Sequence, residues 1–197
     1  MARSEVGKSL SLLLLAALSY LGFRSSEPSA VAGTAPSLTL EEVVDRASSA
    51  LEGVVLAREA RTGPDGIVET VYRLAVARRF IGSGGGEEEV VLPGGVLDDG
   101  SGLIVAGVPE LEVGESVLLF LSERVQGTDR RMTVGLEQGR YRLVEGTDGR
   151  RVAIGAGSVF ARSTDGSQHG GPEAYDYATL RARIEAELQR RGTEEGK

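Results

Sequence analysis

The sequence predicts a mainly β domain with one helix before the strands and one after them. Between Leu51 and Ile154 the apolar residues fall in short segments, several of which alternate apolar and polar positions as one face of a strand does. Glycines and Asp-Gly pairs lie between these segments and favour turns. Helical spacing of apolar residues occurs only near the two ends, at 40–47 and 176–191.

The first helix is predicted to begin at a capping box. Thr39 and Glu42 have the spacing at which the threonine accepts a hydrogen bond from the third helical amide while the glutamate reaches back to the cap amide. We expect about three helical turns, with an apolar stripe formed by Leu40, Val43, Val44 and Ala47.

A long hairpin is predicted after this helix. The first strand begins near Leu51, residues 63–66 (Gly-Pro-Asp-Gly) form the turn, and the second strand runs to Phe80. In the second strand Glu69 and Arg73 alternate with an apolar set. We expect these two charged side chains to face solvent and the apolar set to face the core. The apolar set consists of Val68, Tyr72, Leu74 and Val76.

The remaining segments predict further strands. The run that ends in Val117–Leu121 is too short for a typical helix and indicates a strand buried on both faces, with Val117, Leu119 and Phe120 in the core. Residues 132–134 and 141–144 are predicted to pair with each other. The other predicted strands are Val90–Leu92, Leu103–Val105 and Arg151–Ile154.

The C-terminal part is predicted to be a loop followed by a helix. Residues 155–174 are rich in Gly and Ser and carry no periodic signal, whereas residues 175–192 predict a helix that Gly192 ends. One apolar stripe on this helix is formed by Tyr177, Leu180, Ile184 and Leu188. The predicted organisation is thus a leader at 1–32, a β domain with its leading helix at 33–154, the loop and the helix.

Residues 1–32 have the features of a secretory signal peptide. Arg3 and Lys8 form a basic start, Leu10–Phe23 is an apolar block, and Ala30-Val31-Ala32 places small residues at the cleavage subsites. As a helix, the block would span about 21 Å, less than the apolar bilayer core of about 30 Å. We expect cleavage after Ala32 and a secreted or periplasmic product without a stable membrane anchor, a retained anchor being the alternative.

Composition excludes several classes of function. The formal net charge is −7 and the arginines are scattered among more numerous carboxylates, which argues against nucleic acid as a partner. The chain contains no cysteine, so it has neither disulfides nor a thiolate nucleophile nor Cys-ligated zinc. The sequence predicts no metal site and no cofactor.

Six short segments between residues 53 and 141 carry a resemblance to known proteins: Gly53–Val55, Thr70–Val76, Pro93–Gly95, Gly107–Pro109, Gly114–Leu121 and Gly135–Tyr141. These segments resemble a group of uncharacterised exported bacterial domains. Such domains are similar to small β-barrels of the OB or netrin-like kind, so the resemblance implies a closed barrel flanked by the two helices. Netrin-like inhibitors of metalloproteinases use an N-terminal cysteine that this chain lacks, and their mechanism is not implied.

Few residues are candidates for chemistry. The only histidine, His169, lies in the Gly/Ser-rich segment without a nucleophile elbow, and we assign it no catalytic role. The glycine run 82–86 lacks both phosphate-loop fingerprints. Glu115 and Gln138 are the polar residues inside structural motifs: we expect Glu115 to accept backbone N–H bonds and Gln138 to brace the turn at 135–139, with a shared binding face as the alternative.

Two functions from different classes agree with these observations. The first is an exported, non-catalytic binding module that recognises a protein or cell-envelope partner through its loops. The alternative is a small extracytoplasmic hydrolase that uses carboxylates or a metal, because the spatial separation of carboxylates is not visible in a sequence. No residue is assigned as catalytic or metal-binding in either case.

Overall fold

The computed structural model describes residues 37–155 and 173–195. The predicted signal peptide, the site of its cleavage and His169 lie outside these residues. Two helices, nine strands and one 3₁₀ turn make up the described part: α1 (Leu40–Arg46), β1 (Ser49–Thr62), β2 (Val68–Ile81), β3 (Glu87–Pro93), β4 (Gly95–Val96), β5 (Gly102–Leu103), β6 (Ser116–Leu121), the 3₁₀ turn (Leu136–Gly139), β7 (Arg140–Glu145), β8 (Arg151–Gly155), β9 (Glu173–Asp176) and α2 (Tyr177–Glu195).

Seven strands form one antiparallel sheet in the order β3-β2-β1-β6-β7-β8-β9, and β4 and β5 form a separate small hairpin. The mainly β prediction with two flanking helices is confirmed, but the closed barrel is wrong. The strand β6 lies between β1 and β7, and β8 and β9 extend the sheet beyond β7 instead of returning to β3. On its outer side, β3 forms one isolated bridge within the described residues, which joins Val91 to Arg130.

The core lies on both faces of the sheet, and β6 contributes to both. Its residues Leu118 and Phe120 pack with the two helices, whereas Val117, Leu119 and Leu121 pack on the opposite face with residues of β1, β2 and β3. All five side chains of Val117–Leu121 have 0 % exposure, so the prediction of a strand buried on both faces is confirmed. Alternation with period two places successive side chains on opposite faces, which explains how one strand serves two cores.

Both helix starts have identifiable caps. Thr39 and Glu42 form the predicted capping box, with the Thr39 amide donating to Glu42 Oε2 at 2.8 Å and the Glu42 amide donating to Thr39 Oγ1 at 3.2 Å. At the start of α2 the carboxylate of Asp176 accepts from the Thr179 amide at 2.9 Å. The first helix ends after seven residues, sooner than the three turns predicted, because the chain enters β1 at Ser49.

The C-terminal helix differs from its prediction at both ends. Residues Glu173–Asp176 pair with β8 as a strand, where the sequence predicts loop and the start of the helix. The helix also continues through Gly192 to Glu195. The ion pair of Arg190 with Glu194 spans this glycine, and Arg190 also pairs with Glu187 in the preceding turn; both pairs offset the low helix propensity of glycine.

Two predictions about individual strand segments are wrong. Residues 132–134 form no strand: Thr133 makes one isolated bridge to Leu121, and the chain then bends at Gly135 and Leu136, whose φ angles are 63° and 64°. The partners of β7 are therefore β6 and β8. The strand predicted at 103–105 ends at Leu103, and the Ile104 side chain is 93 % exposed.

Glu69 is buried, contrary to the prediction that it faces solvent. Its side chain is 1 % exposed, because the segment that follows β6 bridges to β3 at Arg130 and brings the Arg130 side chain to it. Arg61 Nε donates to Glu69 Oε1 at 2.9 Å, and Arg130 Nη1 lies 3.7 Å from Glu69 Oε2 and donates to Asp65 Oδ1 at 2.8 Å. These four residues, named the tip cluster, hold the β1–β2 turn against that segment. The prediction for Arg73 is confirmed, since its side chain is exposed.

A second buried carboxylate joins the sheet to α2. Glu52 on β1 is 4 % exposed and bonds through one oxygen to Arg151 on β8 and through the other to the hydroxyl of Tyr177. Arg151 also donates to Ser116 Oγ at 2.8 Å and lies over the Tyr177 ring at 5.0 Å. Burial and the bond to Glu52 raise the pKa of Tyr177 to about 12. This arrangement anchors the first residue of α2.

Candidate functional site

A cleft of about 290 Å³ opens where the two helices, the 3₁₀ turn and the β8–β9 edge of the sheet meet. Among the described residues its lining is formed by Ser37, Leu38, Thr39, Leu40, Glu41, Val43, Gln138, Tyr141, Gly155, Glu173, Tyr175, Leu180 and Arg183. The lining comes from six separate parts of the chain, so the cleft depends on the complete fold. Its volume is at the lower limit of typical small-ligand sites.

Two tyrosine rings form the aromatic wall of the cleft. The ring of Tyr141 packs edge-on against Phe120 below it and against Tyr175 beside it, with centroid separations of 6.2 Å in both pairs. Gly155 makes room for the Tyr141 ring, because a Cβ at position 155 would lie 3.0 Å from Tyr141 Cε1. Burial raises the pKa of Tyr141 to about 12, so its phenol stays protonated at neutral pH.

The charged groups of the cleft are two carboxylates and one guanidinium. Arg183 Nη2 on α2 lies 2.9 Å from Glu41 Oε1 on α1 and bonds the two helices together. The hydrogen bond from Arg183 is the main reason why the pKa of Glu41 is lowered. The hydroxyl of Tyr175 donates to Glu173, and this bond, followed by burial, raises the pKa of Tyr175 to about 12. The lining therefore carries a formal charge of about −1 at neutral pH.

Gln138 braces the turn, as predicted, and it also lines the cleft. Its Nε2 donates to the carbonyl oxygen of Gly135 at 3.0 Å, and its Oε1 accepts from the Leu38 amide at 2.7 Å. Gly135 has positive φ, which glycine adopts without strain. One side chain thus fixes both the turn before β7 and the residue that precedes the α1 cap.

Glu115 has a different environment from Gln138. Its Oε2 accepts from the Glu112 amide at 3.1 Å, which confirms the predicted bond to backbone, and its Oε1 forms an ion pair with Arg140. Glu115 is not part of the lining of the cleft. A role for Glu115 or Gln138 in binding a partner stays a prediction.

Sequence reasoning missed most residues of the cleft. The sequence predicts Tyr141 in a strand without a role, Glu173 in the loop at 155–174 and Tyr175 at the start of the C-terminal helix. The spacing of Glu173 and Tyr175, two residues apart, is a weak signal for one face of a strand. Glu41 and Arg183 are 142 positions apart, and no local pattern indicates their contact.

The described residues offer neither a metal site nor a helical membrane span. Within 37–155 and 173–195, no group of three or more His, Asp or Glu side chains is placed to hold a metal ion. In the same ranges, neither helix combines the length and apolar character that a membrane span requires.

Comparison of the chain with protein-family models, with curated proteins and with solved structures finds no match. The resemblance to OB and netrin-like barrels therefore receives no support from these comparisons. The function has to be argued from the cleft itself.

Proposed function

We propose that this protein is an exported, non-catalytic binding module that recognises a protein partner by seating a basic side chain of that partner in the cleft. The observation that carries the proposal is the composition of the lining, in which Glu41 and Glu173 outnumber Arg183 next to the rings of Tyr141 and Tyr175. Negative charge and aromatic faces both attract a lysine ammonium or an arginine guanidinium.

The apolar part of the lining suits the stem of such a side chain. Leu40, Val43 and Leu180 lie beside the charged groups, and Leu180 is almost fully buried. Lysine and arginine place their methylene groups along apolar surface while the charged end remains with polar partners. A cleft of about 290 Å³ has room for one such side chain.

The strand β9 gives the partner's main chain a place to bind. It is the last strand of the described sheet and carries two of the lining residues, Glu173 and Tyr175. An extended segment can add to the edge of a sheet through main-chain hydrogen bonds, while pockets beside that edge select particular side chains. The cleft would then supply specificity and β9 would supply part of the affinity.

The protonation behaviour of the cleft supports recognition. A general acid or base works best when its pKa lies near the working pH. The shifts in this cleft point away from neutrality: the pKa of Glu41 is lowered, and the pKa values of Tyr141 and Tyr175 are raised to about 12. These groups keep fixed protonation states, as hydrogen-bonding and ion-pairing partners do. No pKa shift in the cleft gives comparable support to the hydrolase alternative.

The place of action is proposed from the N-terminal segment. The basic start, apolar block and Ala-x-Ala site of residues 1–32 support export and release of a protein that begins near Gly33, in the periplasm or the medium. The partner is accordingly proposed to be a protein outside the cytoplasm.

Binding of short peptides to the purified mature protein tests the proposal. Fluorescence anisotropy is measured with capped nonapeptides whose central residue is Lys, Arg, norleucine or Glu and whose flanks are random. We expect the Lys and Arg pools to bind at least about tenfold more tightly than the norleucine pool, because hydrogen bonds between charged groups contribute about 1.5–3 kcal/mol each.

Variants connect this selectivity to the cleft. Glu173→Gln and Tyr175→Leu should weaken the binding of the Lys pool. Glu59→Gln, at an exposed position of β1, should leave this binding unchanged. Equal binding of the Lys and norleucine pools, or equal effects of Glu173→Gln and Glu59→Gln, would contradict the proposal. So would binding to lipid vesicles or cell-wall fragments without peptide selectivity. If the wild type cleaves the peptides and Glu173→Gln abolishes this cleavage, the result would favour the hydrolase alternative.

A further inference from the structure

Arg131 is a partly buried cation without a counter-ion in the described part of the chain. Its main-chain amide donates to the carbonyl oxygen of Val91 at 2.9 Å, and this bond fixes it beside β3. Its guanidinium makes no hydrogen bond or ion pair there, and its Nη1 is inaccessible to solvent. An unpaired buried donor and an unpaired buried charge both cost free energy, so this side chain calls for an acceptor.

Arg79 on β2 supplies a second donor of the same kind. Its Nη1 lies 2.5 Å from Glu88 Oε2, but its Nη2 is buried without a partner. The main chain of the glycine run 82–86 passes close to this atom, because a Cβ at Gly84 would lie 2.8 Å from Arg79 Nη2. A side chain at position 84 would therefore displace the guanidinium.

The charges around Arg131 do not balance. Burial and the positive charges of Arg124 and Arg79 lower the pKa of Arg131, against the opposing effect of Glu88. Arg124 itself lies 3.9 Å from Asp129 at the exposed surface. Glu88, the carboxylate whose charge acts on Arg131, is itself paired with Arg79 at 2.5 Å. Among the described residues, one of the two guanidinium charges is therefore left without an ion-pair partner.

We propose that Arg79 and Arg131 form a binding site for a small oxyanion. An oxyanion supplies both the missing acceptors and the missing negative charge, and guanidinium groups bind phosphate, sulfate and carboxylate through charge-assisted hydrogen bonds. This site, named the Arg79–Arg131 site, uses none of the residues that line the cleft, so the proposal stands independently of the proposed function. The carboxylates at 87–89 do not prevent it, because Glu88 is paired with Arg79, and Glu87 and Glu89 are exposed.

Thermal unfolding of the purified protein tests the site. The midpoint is followed against increasing phosphate, sulfate and acetate, each compared with sodium chloride at matched ionic strength. We expect a saturable rise of the midpoint, because a ligand that binds the folded state stabilises it. Saturation with phosphate and sulfate alone identifies a tetrahedral oxyanion, and saturation with all three identifies any oxyanion.

Variants separate this site from general salt effects. Arg131→Gln should raise the apparent Kd for phosphate at least about tenfold, whereas Arg142→Gln, at an exposed position of β7, should leave it unchanged. Gly84→Ala should weaken binding, and Gly85→Ala should not, because a Cβ at position 85 meets open space. Glu88→Gln should lower the Kd, since it removes the competing carboxylate, provided that the variant still unfolds cooperatively.

Two results would overturn the proposal. One is that sodium chloride raises the unfolding midpoint of the wild type as much as each of the three oxyanions does. That result would indicate that water satisfies the buried donors. The other is an identical phosphate response in Arg131→Gln and Arg142→Gln, which places the anion elsewhere. Because these readouts concern phosphate and not peptides, failure here leaves the cleft proposal untouched.

Discussion

Replacement of Phe120 by alanine tests whether β6 is the centre of the fold. The Phe120 side chain is fully buried and packs edge-on against Tyr141. Aromatic side chains bury about 150–250 Å² each, which at about 25 cal/mol per Å² corresponds to about 4–6 kcal/mol. This is an upper estimate, because an unfolded chain already buries part of its surface. Measured losses for such substitutions are about 3–5 kcal/mol, which we expect here.

Urea unfolding followed by circular dichroism measures this loss. Ile104→Ala is the matched control, because Ile104 is almost fully exposed and its truncation should change the free energy of unfolding by less than about 0.5 kcal/mol. A loss below about 1 kcal/mol for Phe120→Ala, or equal losses for the two variants, would refute the reasoning that β6 lies between two packed faces.

Three further predictions concern the tip cluster and export. Arg130→Met should destabilise the protein by about 3 kcal/mol in a urea titration, because among the described residues it leaves the buried Glu69 with Arg61 as its one close cation; a loss within about 0.5 kcal/mol would contradict this. The bond to Arg130 lowers the pKa of Asp65 from 3.8 to about 2, so its stabilising contribution is present above pH 4 and is lost as the pH falls towards 2. The difference in unfolding free energy between wild type and Asp65→Asn should shrink over this range, and a constant difference would argue against it. N-terminal sequencing of the product released by the cell should begin at Gly33, and a product that retains residues 1–32 would exclude cleavage after Ala32.

The features that the sequence predicted well are local ones. The capping box at Thr39 and Glu42 and the turn at 63–66 depend on residues within four positions of one another, and the structure contains both. The strand at Ser116–Leu121 was equally readable, because a short apolar run bounded by turn residues restricts it to a buried strand. In each case the physical cause lies within the segment itself.

The features that the sequence did not predict depend on distant partners. Residues 173–176 form a strand because β8 offers a free edge about 20 positions earlier, which local composition does not reveal. Glu69 is buried because Arg130 reaches it from a segment 61 positions away, whereas alternation alone assigned it to solvent. The open sheet was missed for the same reason, since the choice between closing a barrel and extending a sheet is made by long-range pairing.

The candidate site follows this rule most clearly. Gln138 was predictable as a brace because its partner Gly135 is three residues away, and it proved to line the cleft. Tyr141, Tyr175 and the pair of Glu41 with Arg183 meet only in the folded protein.

Mapping the bound peptide on the folded protein tests the central claim most directly. The lysine-centred nonapeptide pool is titrated into isotopically labelled mature protein, and the chemical shifts of the backbone amides are followed by nuclear magnetic resonance. Binding in the cleft predicts saturable changes concentrated at Leu38, Gly155, Glu173 and Tyr175, which belong to its lining. Saturable changes concentrated on β3 or at the β1–β2 turn, with these four amides unmoved, would contradict the account.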